Sequence, residues 1–448
     1  MGKNTDKSHS KEKGNLQWWQ LSLLGVACTI GTGFFLGSGL GIKIGGPSIL
    51  FGFLLAAFGT YLVFEVLAKM TAEDPLEGSF CAYAKKAYGR WAGFSSGWVY
   101  WCSELLIMGS QMAALSLFTR FWFPNIPMWV FAAVYAVLGL LIIFIGTKAF
   151  EKMENIFAVT KVAAIVMFLI LACLALFGVI GNGRAATGTL NSWNAWFPAG
   201  AKGLWSSLLY AFYAFGGIEI MGLMALRLKN PKDAPKAGKI MLTTLGIIYF
   251  LSLGLALYMV SWDKFDGKRS PFIVSLSSYG LPFVPHLFNA VLIIAGFSTM
   301  VASLFAVTSI LVTLAQDCDA PPFFSKKTKG KKPLRAIGLT TCGLILSVVS
   351  ALLLPESLYE YVTTAAGLML LYNWMFILIT SGKILKLKGF GQVKRVLGML
   401  LLLTAISGTL LHHSSRVGFY VSLVFLALII GITVIMTFMW KKQTKSQR

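Results

Sequence analysis

The chain has 448 residues, a mean hydropathy of +0.73 and only 12% charged residues, which excludes an ordinary soluble domain. Its formal net charge is +22, a value that also occurs in nucleic-acid-binding proteins. The basic residues, however, follow the membrane topology described below, so no nucleic-acid partner is expected.

Twelve apolar runs of about the length that a transmembrane helix needs follow one another, with no long polar segment between them. In chain order they are Leu21–Leu40, Ser48–Leu67, Phe94–Phe118, Met128–Ile145, Ile156–Ile180, Leu204–Leu226, Ile240–Val260, Leu287–Ala315, Ile337–Leu354, Tyr361–Ile384, Val396–Leu411 and Val417–Trp440. We therefore predict an all-α integral membrane protein with a single domain over residues 1–448 and short tails at 1–20 and 441–448.

The Lys and Arg residues are distributed unevenly between the two sides of the predicted membrane domain. With the intervening segments numbered alternately, 30 of the 39 lie on one side, 8 on the other, and Lys161 lies within a span. An excess of Lys and Arg marks the cytoplasmic side, so we expect a multi-pass protein of the cell membrane with both termini in the cytoplasm. The basic cluster at 326–332 belongs to this signal or contacts anionic lipid. The six cysteines include no CxxC pair, and neither a disulfide framework nor a metal site is expected.

Two of the apolar runs are interrupted by glycines. Gly31-Thr32-Gly33 lies near the middle of the first run, and Gly216-Gly217 lies within the sixth. A broken helix in lipid is tolerated only where protein or a polar cavity covers its free backbone groups. Paired breaks at matching places predict an inverted-repeat transporter, with helices 1–5 (21–180) and 6–10 (204–384) as repeats and helices 11 and 12 (396–440) outside them. The alternative is that these glycines only allow close helix packing.

Seven segments, in the same order, resemble amino acid permeases of the amino acid–polyamine–organocation superfamily. They are Gly25–Gly39, Glu77–Ala84, Gly93–Trp101, Gly146–Val162, Phe215–Glu219, Asn230–Pro235 and Asp317–Pro321. The resemblance implies a fold of the LeuT type, with twelve transmembrane helices, a five-plus-five inverted repeat plus two extra helices, and discontinuous helices 1 and 6. It also implies secondary active transport of an amino acid by alternating access. The chain departs from the family pattern at Leu226-Arg227, where most relatives carry Gly-Glu, and at Ser309-Ile310, where many carry Arg after the serine.

An amino acid zwitterion needs donors for its carboxylate and acceptors for its ammonium group. The half-helix that starts after the first break offers free N–H groups and a positive dipole, with Thr32 and Gly33 as the nearest donors. By the resemblance, the ammonium group meets the carbonyls of Thr29, Tyr213 and Gly216. Thr32 can instead bond its own helix backbone. The predicted substrate-binding residues are Thr29, Gly31, Thr32, Gly33, Tyr213, Gly216 and Gly217, together with Glu104.

Four ionisable residues lie well inside predicted spans, where charge is costly: Glu65, Glu104, Lys161 and Glu219. By the resemblance, Lys161 occupies a sodium-like site beside helix 1. A buried lysine readily loses its proton, so Lys161 either carries the coupling proton or forms a fixed ion pair with one of the glutamates. Glu65 is expected to be structural.

Glu219, directly after the second break, is expected either to act in gating or to bond the broken backbone. Tyr213 and Phe215 either close over the substrate as an aromatic gate or pack against the bundle. Glu104 lies on helix 3, which by the resemblance lines the side-chain pocket. It either contacts a cationic substrate or pairs with a neighbour and leaves an apolar pocket.

The resulting hypothesis is proton-coupled uptake of a neutral amino acid, with no cofactor apart from the coupling proton. No metal motif or nucleophile–base pair is evident, so the chain is not expected to be an enzyme. An amino acid exchanger, a cationic amino acid permease and a non-transporting membrane amino acid sensor are the alternatives. The sequence predicts neither the particular amino acid nor the oligomeric state.

Overall fold

The computed structural model describes residues 16–446 except 77, 146, 181–191, 226–227, 278, 280–281, 327–332 and 355–356. Leu226 and Arg227, where the sequence departs from the family pattern, therefore lie outside the described residues, as does most of the 326–332 basic cluster. The described part of the chain is almost entirely helical and has no strand beyond an isolated bridge between Leu16 and Leu228. The predicted all-α class is confirmed.

Seventeen α-helices make up the described part of the chain. They are α1 (Trp18–Thr29), α2 (Ser38–Gly45), α3 (Ile49–Glu73), α4 (Phe80–Tyr88), α5 (Arg90–Arg120), α6 (Met128–Ile145), α7 (Thr147–Leu176), α8 (Trp193–Trp196), α9 (Gly200–Tyr213), α10 (Ile218–Met224), α11 (Ala234–Met259), α12 (Pro271–Ser277), α13 (Phe283–Gln316), α14 (Leu334–Leu353), α15 (Leu358–Ile384), α16 (Phe390–Gly408) and α17 (His413–Ser446). A π-helical turn at Gly33–Gly37 leads into α2.

Ten helical stretches of the described chain are long and apolar enough to cross a membrane. One runs through α2 and α3, and the others lie in α5, α6, α7, α11, α13, α14, α15, α16 and α17. The stretch through α2 and α3 overlaps the first two predicted apolar runs, and each of the others overlaps one. Predicted helices 1 and 6 appear as shorter pieces, since α1 has 12 residues, α9 has 14 and α10 has 7. The count of twelve spans stays a prediction for these two.

Helix boundaries follow from local backbone chemistry. Gly89 separates α4 from α5 with φ +93°, a conformation that residues with a Cβ rarely adopt. Before α11, the Asn230 side chain accepts a hydrogen bond of 3.2 Å from the backbone N–H of Lys232, and Pro231 sits at the first position of the turn. The short α4, which lies between two predicted spans, has no long apolar run and was not predicted.

The centre of the bundle is formed by α5, α13 and α15. Their apolar windows are 78%, 56% and 72% buried, whereas those of α16 and α17 are each 17% buried. In water such exposed apolar faces would be costly, but in a bilayer they face lipid. Long helix α5 packs along both α13 and α15, so its side chains line the interior.

Glu65 joins two helices near one end of the bundle. Its carboxylate pairs with Lys69 of the same helix at 2.8 Å and with Lys394 of α16 at 3.0 Å. These contacts agree with the structural role expected for Glu65.

Candidate functional site

The first interruption lies between α1 and the π-helical turn. Helix α1 ends at Thr29, Ile30 is extended with ψ 107°, and the helical path resumes after Gly31. The Gly31 carbonyl accepts hydrogen bonds from the N–H groups of both Phe34 and Phe35, at 3.1 and 3.0 Å. The backbone therefore turns tightly around Gly31 and leaves the groups just after it unpaired.

Several hydrogen-bonding groups at this break have no partner in the described part of the chain. They include the hydroxyl oxygens of Thr29 and Thr32. The backbone N–H groups of Gly31, Thr32 and Gly33 precede the first hydrogen bond of the resumed helix, so they have no intrahelical partner. Thr32 is 1% exposed and Thr29 is 5% exposed. Buried polar groups are normally hydrogen-bonded, and the Thr32 hydroxyl does not bond its own helix here. The break thus presents donors that a ligand can satisfy.

The second interruption lies between α9 and α10. Helix α9 ends at Tyr213, residues 214–217 form turns, and Gly217 has φ +108°, which favours glycine. Glu219, in the first turn of α10, accepts a 3.1 Å hydrogen bond from the Gly217 N–H. Its second carboxylate oxygen accepts a 3.1 Å hydrogen bond from the Trp374 indole of α15. Glu219 therefore caps the broken backbone and links α10 to α15.

The two interruptions touch each other. A Cβ placed on Gly33 would lie 3.1 Å from both the Tyr213 ring and the Tyr213 carbonyl oxygen. A Cβ on Gly217 would lie 3.7 Å from the Cα and the hydroxyl of Thr29. Glycine at these places lets the two breaks approach until backbone faces backbone, so the predicted residues of helices 1 and 6 come together in space.

Two neighbours of the first break were not predicted from the sequence. Thr299 of α13 faces Gly31, where a Cβ would meet its methyl group at 2.9 Å. The Tyr359 hydroxyl of α15 donates a 3.3 Å hydrogen bond to the carbonyl of Thr32. Neither residue carries a local sequence signal, since both lie far along the chain on continuous helices. Only the packing of α13 and α15 against the break identifies them.

Gly216, also predicted, lies within the second break. Its N–H donates to the Tyr213 carbonyl at 3.1 Å, and a Cβ there would lie 3.1 Å from a methyl group of Leu370. The Tyr213 carbonyl already accepts this bond and keeps one lone pair for another donor. The Tyr213 ring lies over Gly33 and near Gly367 of α15.

Phe215 is buried in an aromatic group away from the Tyr213 ring. Its ring lies 5.1 Å from the ring of Tyr249 and 6.3 Å from that of Phe53. The Tyr249 hydroxyl also donates to the Ala214 carbonyl at 3.0 Å, which supports the turn of the second break. In this conformation Phe215 packs against α3 and α11, and its role in gating stays a prediction.

Lys161 of α7 is buried and lies beside helix 1. Its ammonium group donates a 3.3 Å hydrogen bond to the carbonyl of Ala27, two residues before Thr29. The predicted neighbourhood of Lys161 and helix 1 is therefore present.

Glu104 is buried on α5, near the Tyr100 hydroxyl, Ser303 of α13 and Glu219 of α10. On the same face of α5, Leu115 lies against Gly296 of α13, next to Thr32. Glu104 thus faces the interior several turns from the contact between Leu115 and the first break.

The arrangement suits a small ligand with a negative and a positive group at one end. Unpaired N–H and hydroxyl donors lie at the first break, and the carbonyl of Tyr213 faces Gly33 from the second. The N–H groups and the carbonyl belong to backbone that glycine leaves open, so they are placed to bind groups that different ligands have in common.

Comparisons with known proteins agree with this geometry. The family model described as amino acid permease matches residues 20–446. The chain is 57% identical to the uncharacterized transporter YcgH of Bacillus subtilis (strain 168), over 94% of this chain and 95% of that protein. It is 32% identical to the aromatic amino acid transport protein AroP of Escherichia coli (strain K12), over 84% and 82%. It is 30% identical to the uncharacterized amino acid permease YtnA of Bacillus subtilis (strain 168), over 81% and 79%.

These matches confirm the resemblance and place the chain among multi-pass membrane proteins. The relatives are named as transporters or permeases rather than enzymes. From the matched residues and these identities, the chain belongs to the amino acid permease family.

Proposed function

We propose that the protein is a secondary active transporter that takes up an amino acid by alternating access. The observation that carries this proposal is the contact between the two breaks, where Gly33 meets Tyr213 and Gly217 meets Thr29. The substrate carboxylate accepts hydrogen bonds from Thr32 and Gly33, and its ammonium group meets the carbonyls of Thr29, Tyr213 and Gly216. Because both breaks contribute, opening either side of the bundle can expose or cover the ligand.

The proposed architecture has twelve transmembrane helices. In it, α1 and α2 with the turn between them form discontinuous helix 1, and α9 and α10 form discontinuous helix 6. Residues 21–180 and 204–384 are the two inverted repeats, and 396–440 supplies helices 11 and 12. The lipid-facing character of α16 and α17 supports their place outside the repeats.

The proposed orientation puts both termini in the cytoplasm of a cell-membrane protein. The basis is the excess of Lys and Arg on the side where the tails lie. On this assignment, α4 and the turn after α13 face the cytoplasm.

The proposed substrate is a neutral amino acid, and the aromatic ones deserve testing first. The relative AroP is an aromatic amino acid transport protein, which supports this choice. Glu104 argues less strongly for a cationic substrate, because its carboxyl already faces Tyr100 and Ser303. A thermal-shift panel of the twenty amino acids separates the two classes: stabilisation by lysine or arginine and not by phenylalanine would reject the neutral class.

The proposed coupling ion is the proton, with Lys161 as the group beside helix 1 that links coupling to the site. Its hydrogen bond to Ala27 supports this role, since that carbonyl lies in the half-helix that leads to Thr29. A change of charge at Lys161 would therefore alter a contact made by α1, the half-helix that we propose moves during transport.

Uptake into liposomes tests the function. Purified protein in liposomes with an alkaline interior should accumulate radiolabelled phenylalanine above the external concentration. The Lys161→Ala variant should lose accumulation and keep binding, whereas Lys202→Ala, an exposed lysine on α9, should behave as the unmodified protein. Accumulation that does not depend on the proton gradient would reject proton coupling. Uptake that strictly requires amino acid inside the liposomes would identify an exchanger.

A further inference from the structure

One peptide unit at the first break is held by a side chain at its oxygen and is open at its nitrogen. The carbonyl of Thr32 and the N–H of Gly33 belong to this unit. The carbonyl accepts a 3.3 Å hydrogen bond from the Tyr359 hydroxyl of α15. The N–H precedes the first hydrogen bond of the resumed helix and has no intrahelical partner. A contact at the oxygen therefore acts directly on a donor that the proposed binding mode gives to the substrate carboxylate.

The geometry of the peptide determines where that donor points. The unit is trans, so its C=O and N–H are coplanar and point in opposite directions. Tyr359 lies on the carbonyl side, and the Gly33 N–H points away from it. The Tyr213 carbonyl oxygen would lie 3.1 Å from a Cβ on Gly33. The donor proposed for one end of the head group and an acceptor proposed for the other thus lie around the same glycine.

Tyr359 reaches the break from a helix that is itself fixed by hydrogen bonds. It lies in the first turn of α15 and is 4% exposed. One turn further along α15, the hydroxyls of Thr363 and Ser110 of α5 lie 2.6 Å apart. The next residue, Thr364, has its hydroxyl 2.9 Å from that of Tyr210 of α9. These contacts hold α15 against α5 and α9, so the Tyr359 hydroxyl is presented to the break from a fixed position.

A second tyrosine bonds the other break with a different result. The Tyr249 hydroxyl donates to the Ala214 carbonyl at 3.0 Å. The N–H of that peptide unit belongs to Phe215 and already donates to the Phe212 carbonyl at 2.9 Å. Tyr249 therefore supports a turn whose donor is used, whereas Tyr359 supports a unit whose donor is open to a ligand.

A hydroxyl on the carbonyl oxygen affects the N–H of the same unit in two ways. It fixes the plane of the peptide, which lowers the cost of ordering the donor when a ligand binds. It also polarises the amide, and hydrogen bonds in series strengthen one another by about 10–30%. At 3.3 Å the bond is longer than the value of about 2.7–2.8 Å typical of hydroxyl donors, so it has room to shorten when a carboxylate engages the N–H.

We propose that Tyr359 is a positioning residue for the substrate carboxylate, because it holds the Thr32–Gly33 peptide with the Gly33 N–H facing the ligand. Tyr359 contacts the peptide and not the substrate, so it acts through the backbone. Its effect is confined to the negative end of the ligand, since the ammonium group meets carbonyls of other peptide units. This inference rests on the binding mode proposed above and adds to it a residue from α15.

The experiment compares two ligands that differ only at the carboxylate. Phenylalanine and phenylalaninamide share the side chain and the ammonium group, but the amide has no negative charge at the other end. We would measure the affinity of each by displacement of radiolabelled phenylalanine from the purified protein. The variant is Tyr359→Phe, which keeps the ring and removes the hydroxyl. The matched control is Tyr372→Phe, a tyrosine of the same helix whose hydroxyl lies 3.1 Å from that of Ser422 on α17.

Tyr359→Phe should weaken phenylalanine binding about fivefold, the effect of losing one hydrogen bond, and should leave phenylalaninamide binding within about twofold. In liposomes the same variant should raise the KM for phenylalanine about fivefold and leave the maximal uptake rate within about twofold. Tyr372→Phe should change neither affinity. Thermal unfolding without ligand checks that both variants fold.

Two results would overturn the positioning role and leave the proposed function standing. One is unchanged phenylalanine affinity in a folded Tyr359→Phe variant. The other is an equal loss of affinity for phenylalanine and phenylalaninamide, which would show that the hydroxyl only supports the structure. Failure of the unmodified protein to bind phenylalanine would instead overturn the proposed substrate together with the positioning role.

Discussion

Thr32 combines deep burial with a hydroxyl that has no partner in the described chain. A Thr32→Val substitution keeps the shape of the side chain and removes the hydroxyl. We expect the ligand-free variant to be about 1 kcal/mol more stable, because an unsatisfied buried group disappears. We also expect substrate affinity to fall about tenfold, since a hydrogen bond to a charged carboxylate is lost. Thermal unfolding with and without phenylalanine measures both, and Thr32→Ser should retain the affinity.

A fall in stability of Thr32→Val without ligand would show that the hydroxyl is already satisfied. Unchanged affinity in a stable variant would remove Thr32 from the binding site.

Gly33 has no space for a side chain, since a Cβ would press on the ring and carbonyl of Tyr213. Gly33→Ala should therefore push the two breaks apart and abolish phenylalanine binding in a protein that still folds. The control is Gly254→Ala on α11, where a Cβ meets nothing within 4 Å. That control should bind normally and gain about 0.5–1 kcal/mol of stability from the better helix former. Wild-type binding by Gly33→Ala would contradict close contact of the breaks.

For single residues, the sequence predicted those that lie at a break but not the residues of other helices that contact them. Gly31, Thr32 and Gly217 could be predicted because glycine and threonine interrupt apolar runs. Thr299 and Tyr359 could not be predicted, because they lie on continuous helices whose rotation is fixed only by packing. From the sequence, Glu219 was expected either to act in gating or to bond the broken backbone. In the structure it accepts a backbone hydrogen bond and also bridges to α15, and its role in gating stays a prediction.

Among the elements, α10 depends on Glu219 for its attachment. The short helix has 7 residues, too few to be stable alone. Glu219→Ala would leave the Gly217 N–H and the Trp374 indole unpaired in a buried place, and we expect a loss of about 2–4 kcal/mol. Glu219→Gln keeps one acceptor oxygen and should lose about half as much. Chemical or thermal unfolding of the two variants gives the comparison, and equal stability of Ala and Gln variants would exclude this capping role.

Most elements could be predicted from the sequence because an apolar run of bilayer length permits little besides a helix. Ten of the predicted runs coincide with long apolar helices. The exceptions have physical reasons: α4 and α12 are short and owe their form to packing on longer helices, and the pieces of helices 1 and 6 end where glycine breaks the ladder. Some helices begin or end several residues away from the boundaries of the predicted apolar runs, because their polar ends extend past the apolar run.

For the whole molecule, the orientation in the membrane is the property to test. Cys318 is exposed in the turn after α13, on the side assigned to the cytoplasm, and Lys268 is exposed on the opposite side. In a chain whose other cysteines are replaced, Cys318 should react with a membrane-impermeant maleimide in inside-out vesicles and not in intact cells. Lys268→Cys in a cysteine-free chain should show the reverse pattern. Labelling of Cys318 from outside intact cells would invert the assigned topology.

The contact between the two breaks also bears on stereochemistry. In the proposed binding mode, one end of the head group meets donors near Thr32 and the other meets the carbonyl of Tyr213. The Tyr213 ring stands over Gly33 and blocks a third direction. Two fixed attachments and one blocked direction define a handedness around the α-carbon of the substrate. Such a site distinguishes mirror images through the backbone itself, so the D-isomer of a substrate should compete poorly even when its side chain fits. Enantioselectivity would then be a property of the glycines, shared by every amino acid the protein carries.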